Sequence, residues 1–131
     1  MTQQRASSER VCLLYRLNTG AQSEYTERHQ KVWPEMYSLL AEAGISNYSI
    51  FLRGQTLVSV LEAEPTWRAA LGVLQGSDVQ REWSQSLEHL FARVRDSSGE
   101  FLYADEVFRF DGLVKARGQG MPRGPGAERN G

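Results

Sequence analysis

The chain has 131 residues and a formal net charge of -1, with fifteen Lys plus Arg against sixteen Asp plus Glu. This length matches one domain with a single hydrophobic core. The balanced charge lacks the basic excess that phosphate backbones require, so we expect no nucleic-acid partner. The only cysteine, Cys12, cannot form a disulfide within one chain, and we interpret it as a buried thiol in a strand.

The ends of the chain differ from its middle. Residues 1–10 are polar and lack the apolar stretch of a secretory signal, and no later apolar run reaches the roughly eighteen residues of a membrane span. We therefore expect a cytoplasmic protein with no membrane partner. We also expect residues 1–10 to be flexible, residues 11–111 to form the domain, and the Gly- and Pro-rich residues 112–131 to be a disordered tail.

The first half of the domain predicts a strand followed by a helix. Residues 11–17 have the apolar run of a buried strand, and Asn-Thr-Gly at 18–20 predicts a turn. Apolar side chains then recur at spacings of three and four up to Gly44, which predicts one long amphipathic helix. Pro34 removes an amide donor inside that helix, so we expect the helix to bend or restart near Trp33 and Pro34.

The second half predicts a hairpin, helices and a last strand. Residues 47–52 alternate with period two, with Tyr48, Ile50 and Leu52 on one face, and a turn at 53–55 leads into a partner strand over 56–62. Pro65 is expected to open a short helix, and Ser77 to cap a second helical stretch that continues to residue 94. Residues 96–99 predict a loop before a last strand over residues 102–110.

This order of elements, β-α-β-β-α-β, is the split arrangement of the ferredoxin-like fold in the α+β class. Helices on one face of a four-stranded sheet would leave the other face open and apolar. We therefore expect a homodimer that covers this face, with exchange of an edge strand as one possible arrangement.

Few side chains are candidates for chemistry. His29, His89 and Cys12 lack the spacing of metal ligands, and the glycines of the tail do not form a nucleotide loop, so we expect neither metal nor cofactor. His29 follows Tyr25 by one helical turn, and imidazole suits proton transfer near neutral pH. Position alone nevertheless favours a hydrogen-bonded structural histidine. We interpret His89 as a surface residue.

The aromatic and acidic residues allow two interpretations each. A tryptophan is either a core residue or a flat apolar platform for a ring-shaped ligand such as a sugar. Glu35 and Glu106 are most simply solvated charges, with hydroxyl binding as the alternative.

Four segments together resemble the L-rhamnose mutarotase family over roughly residues 11–111: Tyr25-Thr-Glu-Arg-His29, Val32-Trp33-Pro34-Glu35, the stretch from Gly44 to Leu52, and Glu106-Val107-Phe108. The resemblance implies a dimeric α+β barrel that interconverts the α and β anomers of L-rhamnose without cofactor or metal. It also implies that His29 is the catalytic acid/base, with Tyr25 beside it. The candidates for binding the substrate are Tyr48, Trp67, Trp83, Trp33 and Glu106.

The chain departs from the family pattern at three positions. Ser84 follows Trp83 where the family commonly has a second tryptophan, and Phe91 and Ala92 replace a usual methionine and proline. Two alternatives therefore stay open. One is a dimeric-barrel cyclase or cofactor-free monooxygenase acting on a polyketide-like molecule, for which Ser84 would enlarge the pocket. The other is a non-enzymatic binding module in which His29 is structural.

Overall fold

The computed structural model describes residues 8–112. The predictions of a flexible N-terminus and a disordered tail therefore concern residues that lie almost wholly outside the described part. The elements are β1 (Glu9–Leu17), α1 (Gln22–His29), α2 (Pro34–Glu42), β2 (Ile45–Arg53), β3 (Thr56–Ala63), α3 (Trp67–Gln75), α4 (Asp78–Leu87), a 3-10 turn (Glu88–Leu90), β4 (Phe91–Arg93) and β5 (Leu102–Ala104).

One antiparallel sheet carries the fold. Its order is β2-β3-β1-β4, and β5 pairs with the same edge of β1 as β4 does. The two short strands occupy successive positions along that edge, because β4 pairs at Arg16 and Leu17 while β5 pairs at 12–14. The predicted α+β fold with ferredoxin-like order is confirmed.

The two faces of the sheet differ in burial. On β3, Leu57, Ser59 and Leu61 are at most 2% exposed under the helices, whereas Val58 and Val60 on the opposite face are only half-buried. Alternation along a strand sends neighbouring side chains to opposite faces, so the core lies between the helices and one face of the sheet. Within residues 8–112, the second face is left uncovered.

The prediction of one continuous helix up to residue 43 is wrong, because this segment forms two helices, α1 and α2. The residue before a proline avoids helical dihedral angles, and Trp33 is extended with φ -63° and ψ 140°. The restart near Pro34 is confirmed, with Pro34 in the first turn of α2. Two side chains cap later helices: Ser77 as predicted, and Thr66, which places the start of α3 after Pro65.

The last predicted strand is too long. Only Leu102–Ala104 pairs with β1, while Val107, Phe108 and Phe110 are 66–92% exposed. The predicted helix to residue 94 also ends early, at Leu87, and Phe91–Arg93 becomes β4. Within residues 8–112, none of the helices has both the length and the hydropathy that crossing a membrane requires.

Gly44 joins α2 to β2 where two backbones meet. Its φ is +84°, and its carbonyl accepts a hydrogen bond from the amide of Glu64 at 2.9 Å. A Cβ at this position would overlap the carbonyl oxygen of Glu64. Only glycine satisfies both the dihedral angle and the close approach.

Candidate active site

Four aromatic side chains meet where α1 ends and the chain turns toward α2. The ring of Tyr25 stacks on that of His29 with centroids 4.2 Å apart. The indole of Trp83, from α4, packs edge-on against His29 at 5.5 Å and against Trp33 at 5.0 Å. We call these four residues the aromatic cluster. The break before Pro34 makes the aromatic cluster possible. In an uninterrupted helix Trp33 would instead lie one turn beyond His29 along the axis of α1.

A cavity of about 220 Å³ lies between α1 and the covered face of the hairpin. Its residues are Tyr25, Thr26, His29, Gln30, Ile50, Leu52 and Leu57. The hairpin supplies the apolar side, and α1 supplies the polar groups. Pockets for drug-sized ligands measure roughly 300–1,000 Å³, so this cavity suits a smaller molecule. A second, shallower groove on α1 has five polar residues and none of the aromatic cluster.

The tautomer of His29 follows from its contact with the helix backbone. Its Nδ1 lies 3.0 Å from the carbonyl oxygen of Tyr25. A carbonyl only accepts hydrogen bonds, so Nδ1 carries the proton and donates it, and the lone pair of Nε2 is left to accept a proton. His29 therefore has the form that a general base needs.

The surroundings of His29 favour its neutral form. Burial lowers its pKa below the ordinary value of 6.5, and the positive charge of Arg28 lowers it further, against an opposing effect of the hydrogen bond to Tyr25. Because the pKa is lowered, the imidazole stays unprotonated at neutral pH and protonates only as the pH falls below 6.5.

Three tyrosines near the cavity influence one another. Burial is the main cause that raises the pKa of Tyr15, Tyr25 and Tyr48, and the charge of Tyr48 would raise those of the other two. Tyr48 is 40% exposed as a whole, although the environment of its hydroxyl is buried. All three phenols therefore stay neutral near pH 7, and Tyr25, which lines the cavity, can donate a hydrogen bond to an oxygen atom of a ligand.

A β-bulge sets the direction of Tyr48. The register of β2 against β3 shifts between Ser46 and Ser49, and Asn47 within this bulge has φ 49°. Asparagine tolerates such angles better than most residues, and a bulge re-aims the side chains beside it. The hydroxyl of Ser59 on β3 is fully buried and makes no hydrogen bond of ordinary geometry within the described residues, while its nearness to Tyr48 partly offsets the rise in the pKa of Tyr48 that burial causes.

Comparison with known proteins assigns this arrangement to a family. The family model of L-rhamnose mutarotase, rhaM, matches residues 10–110. The chain belongs to the L-rhamnose mutarotase family.

The matched regions cover most of the length of each relative. An L-rhamnose mutarotase of Brucella anthropi is 33% identical over 94 residues, which are 70% of this chain and 87% of the relative. One of Burkholderia orbicola is 40% identical over 90 residues, covering 67% and 85%. The crystal structure of the L-rhamnose mutarotase from Formosa agariphila superposes with a TM-score of 0.63 at 26% identity, covering 79% of this chain and 99% of that one.

The structure brings five of the seven predicted site residues of this family member into one region. Tyr25, His29, Trp33 and Trp83 form the aromatic cluster, and Tyr48 approaches it from β2. The other two make contacts elsewhere. The indole nitrogen of Trp67 donates to the hydroxyl of Tyr103 at 2.7 Å, and Glu106 pairs with Arg10 at 3.1 Å. Binding of substrate by these residues stays a prediction.

The departures from the family pattern have separate surroundings. Phe91 packs edge-on against the rings of Tyr15 and Tyr25, at 5.7 and 5.9 Å, and so supports the site from β4. Ser84 is exposed on α4 and accepts a hydrogen bond from Gln80 at 2.8 Å. Ser84 therefore leaves only a small polar side chain on the surface next to Trp83, while Phe91 fills its own position with a bulky apolar ring.

Sequence reasoning missed Tyr15, Ser59 and Arg28. Tyr15 had a usable signal, because it alternates with Leu13 and Leu17 on the buried face of β1. The sequence carried no comparable signal for Ser59 or Arg28. Among residues 8–112, no three side chains of His, Cys, Asp and Glu gather as a metal site would need.

Proposed function

We propose that this protein is an aldose 1-epimerase that interconverts the α and β anomers of L-rhamnose or a related 6-deoxysugar. The observation that carries the proposal is His29, held with Nδ1 toward the carbonyl of Tyr25 in a small cavity beside the neutral phenol of Tyr25. Family membership supports the choice of sugar. The cytoplasmic location that the sequence favours is part of this proposal.

Ring opening and ring closure each need two proton transfers. The Nε2 of His29 accepts the proton of the anomeric hydroxyl, the bond between C1 and the ring oxygen breaks, and the ring oxygen takes up a proton to give the open-chain aldehyde. Rotation about C1–C2 presents the other face of the aldehyde to the hydroxyl, and the reverse transfers close the ring. Atoms and charge balance without any redox partner.

Tyr25 has a supporting role in this scheme. Burial raises the pKa of its phenol above the ordinary value, so the group is a poor source of protons. It remains a good hydrogen-bond donor. Tyr25 therefore orients the sugar, while the protonated imidazole or a water molecule delivers the proton to the ring oxygen.

The shape of the cavity weighs against the alternative ligand. A polyketide-like molecule requires a wide and almost wholly apolar pocket, whereas this cavity of about 220 Å³ combines an apolar side with His29, Thr26 and Gln30. The combination suits a monosaccharide, whose C–H faces are apolar and whose rim is hydroxylated. A purely structural role for His29 does not explain why polar and apolar side chains line one cavity around it.

The direct test is the rate of anomer exchange of L-rhamnose, measured by saturation transfer in NMR with and without the protein. We expect the protein to accelerate exchange of L-rhamnose well above the spontaneous rate. D-glucose is the matched control, because it undergoes the same chemistry with different hydroxyl positions and a hydroxymethyl group. Folded protein that leaves the exchange of L-rhamnose at the spontaneous rate would refute the proposal.

We also propose that the working form is a homodimer joined through the uncovered face of the sheet. Phe51 on that face is 61% exposed, and Val107, Phe108 and Phe110 after β5 are exposed as well. Exposed apolar area of this kind usually marks an interface. A second copy would bury both the face and the segment that follows β5.

The dimer has a matched pair of test variants. Phe51 and Tyr37 are aromatic and almost equally exposed, at 61% and 63%, but Tyr37 lies on α2. We expect sedimentation to give wild-type protein and Tyr37→Asp at twice the mass of one chain, and Phe51→Asp at the mass of one chain, because a carboxylate is costly to bury in an apolar interface. A monomeric wild type, or a dimer that Phe51→Asp leaves intact, would contradict this interface.

A further inference from the structure

The guanidinium group of Arg28 joins two helices that lie far apart in the sequence. Its Nη2 donates to the Oγ of Ser86 at 2.7 Å, and its Nη1 donates to the carbonyl oxygen of Ser86 at 3.2 Å. Nη1 is also 3.6 Å from the carboxylate of Glu24, one turn earlier on α1. Two hydrogen bonds from one planar group to one residue fix both distance and direction, which a single bond does not.

Ser86 passes this restraint to the turn that carries Trp83. While its hydroxyl accepts from Arg28, it donates to the carbonyl oxygen of Trp83 at 2.7 Å. The centre of the guanidinium group lies 6.0 Å from the ring of Trp83. Trp83 is 7% exposed and meets His29 edge-on. An unbroken set of contacts thus runs from Arg28 through Ser86 and Trp83 to the imidazole.

Arg28 also supplies a charge that α4 lacks. The last turn of this helix contains no basic residue, although cations are favourable near the carbonyl groups of a helix C-terminus. Arg28 of α1 provides that cation from outside. Its side chain is 30% exposed, so the contact is partly shielded from water and is worth more than an ion pair on the open surface.

Arg28 is the charged group that acts on His29 in the described part of the chain. From α1 the imidazole also meets Tyr25, from α4 it meets Trp83, and the hairpin lines the shared cavity with Ile50, Leu52 and Leu57. Burial is the larger cause that lowers the pKa of His29, and Arg28 acts in the same direction.

We propose that Arg28 is a positioning residue of the active site, which holds the Ser86–Trp83 turn of α4 against the ring of His29. Arg28 is not among the residues that line the cavity; it acts through Ser86 and Trp83 and through its charge. The inference rests on the epimerase activity proposed above, because it assigns the rate of that reaction to the placement of the imidazole.

Two variants separate geometry from charge. Arg28→Lys keeps the charge but loses the planar two-point contact, and Ser86→Ala keeps the arginine but removes the hydroxyl. We expect each to lower kcat/KM for L-rhamnose by at least about 5-fold, mainly through kcat, since small displacements of a catalytic group reduce the rate steeply. The double variant should lose little more than either single one, because both remove the same contact.

The pH profile gives a second readout, because both the burial of His29 and the charge of Arg28 lower the pKa of His29. Wild-type activity should fall as the pH drops below 6.5, because His29 must be neutral to accept a proton. In Arg28→Gln this acid limb should shift to higher pH, since the charge that disfavours protonation is gone. In Arg28→Lys the shift should be smaller, because the positive charge is kept. Lys31→Gln, which removes an exposed cation just after α1 with its pair to Glu27, should leave rate and profile unchanged.

A measurement without substrate distinguishes failure of this inference from failure of the proposed function. Ring protons of His29 lie near the edge-on indole of Trp83, so their NMR shifts report the arrangement directly. We expect these shifts to change in Arg28→Lys and Ser86→Ala but not in Lys31→Gln, whether or not the protein acts on L-rhamnose. Unchanged His29 shifts in the two variants, or full activity in both, would overturn the role of Arg28.

Discussion

Replacement of His29 by alanine is expected to lower the acceleration of L-rhamnose anomer exchange by at least about 100-fold, since general acid/base catalysis contributes typically 10² to 10⁴ in rate. His29 is the imidazole that lines the cavity, and its Nδ1 contact with Tyr25 leaves Nε2 to accept the proton. The measurement is saturation transfer between the anomers in NMR, with the fold of the variant checked by circular dichroism.

The other histidine provides the control. His89 is 59% exposed and contacts the carboxylate of Glu24 at 3.1 Å, outside the cavity. His89→Ala should retain wild-type exchange within about 2-fold, because surface substitutions away from special contacts have small effects. If His29→Ala instead accelerates exchange as well as His89→Ala does, the base is another group and the assigned role of His29 is refuted.

The second large effect concerns stability. Gly44→Ala is expected to lower the free energy of unfolding by about 3 kcal/mol or more, since the left-handed angle alone costs a residue with Cβ about 1–2 kcal/mol and the overlap with Glu64 adds to it. Urea titration followed by tryptophan fluorescence gives the value.

Gly20 isolates the two contributions. Its φ of +83° is nearly that of Gly44, but a Cβ there would have no atom within 4 Å. Gly20→Ala should therefore cost only the conformational part, about 1–2 kcal/mol. Equal losses in the two variants would show that the backbone of Glu64 moves aside, and the close approach would then have no energetic weight.

Local patterns predicted the fold well where local interactions decide it. The alternation along β2 and β3, the cap at Ser77 and the restart at Pro34 each depend on residues within one turn or one strand pair. Residues 91–93 show the limit. Phe91 continues the helical spacing of Leu87 and Leu90, yet pairing with Arg16 and Leu17 of β1 makes these residues a strand.

The overlong last strand has a related cause. Residues 106–110 alternate as a strand does, but a strand exists only against a partner edge, and periodicity does not reveal whether a partner is available. Within the single chain β5 ends at Ala104, and Phe108 is 80% exposed. The strand prediction was therefore right for residues 102–104 and wrong for residues 105–110.

The residues of the candidate site also divide into those that the sequence identifies and those that it does not. Tyr25, His29, Trp33 and Tyr48 carry recognisable chemistry at recognisable spacing, and the structure groups them. Arg28 resembles any solvated charge on a helix, because its partner Ser86 lies 58 residues later. Supporting contacts of this kind depend on how helices meet, and a single sequence contains no direct signal of that meeting.

The position of β1 at the centre of the sheet also determines when the chain can fold. This strand is synthesised first, yet its partners β3, β4 and β5 all follow Thr56, and the last of them ends at Ala104. Pairing over such separations requires closing long loops, which slows folding. On the ribosome the apolar residues of β1 therefore stay unpaired until β3 is complete at Ala63, and one edge of β1 stays unpaired until β4 and β5 are made. Association with other chains competes with folding during that interval.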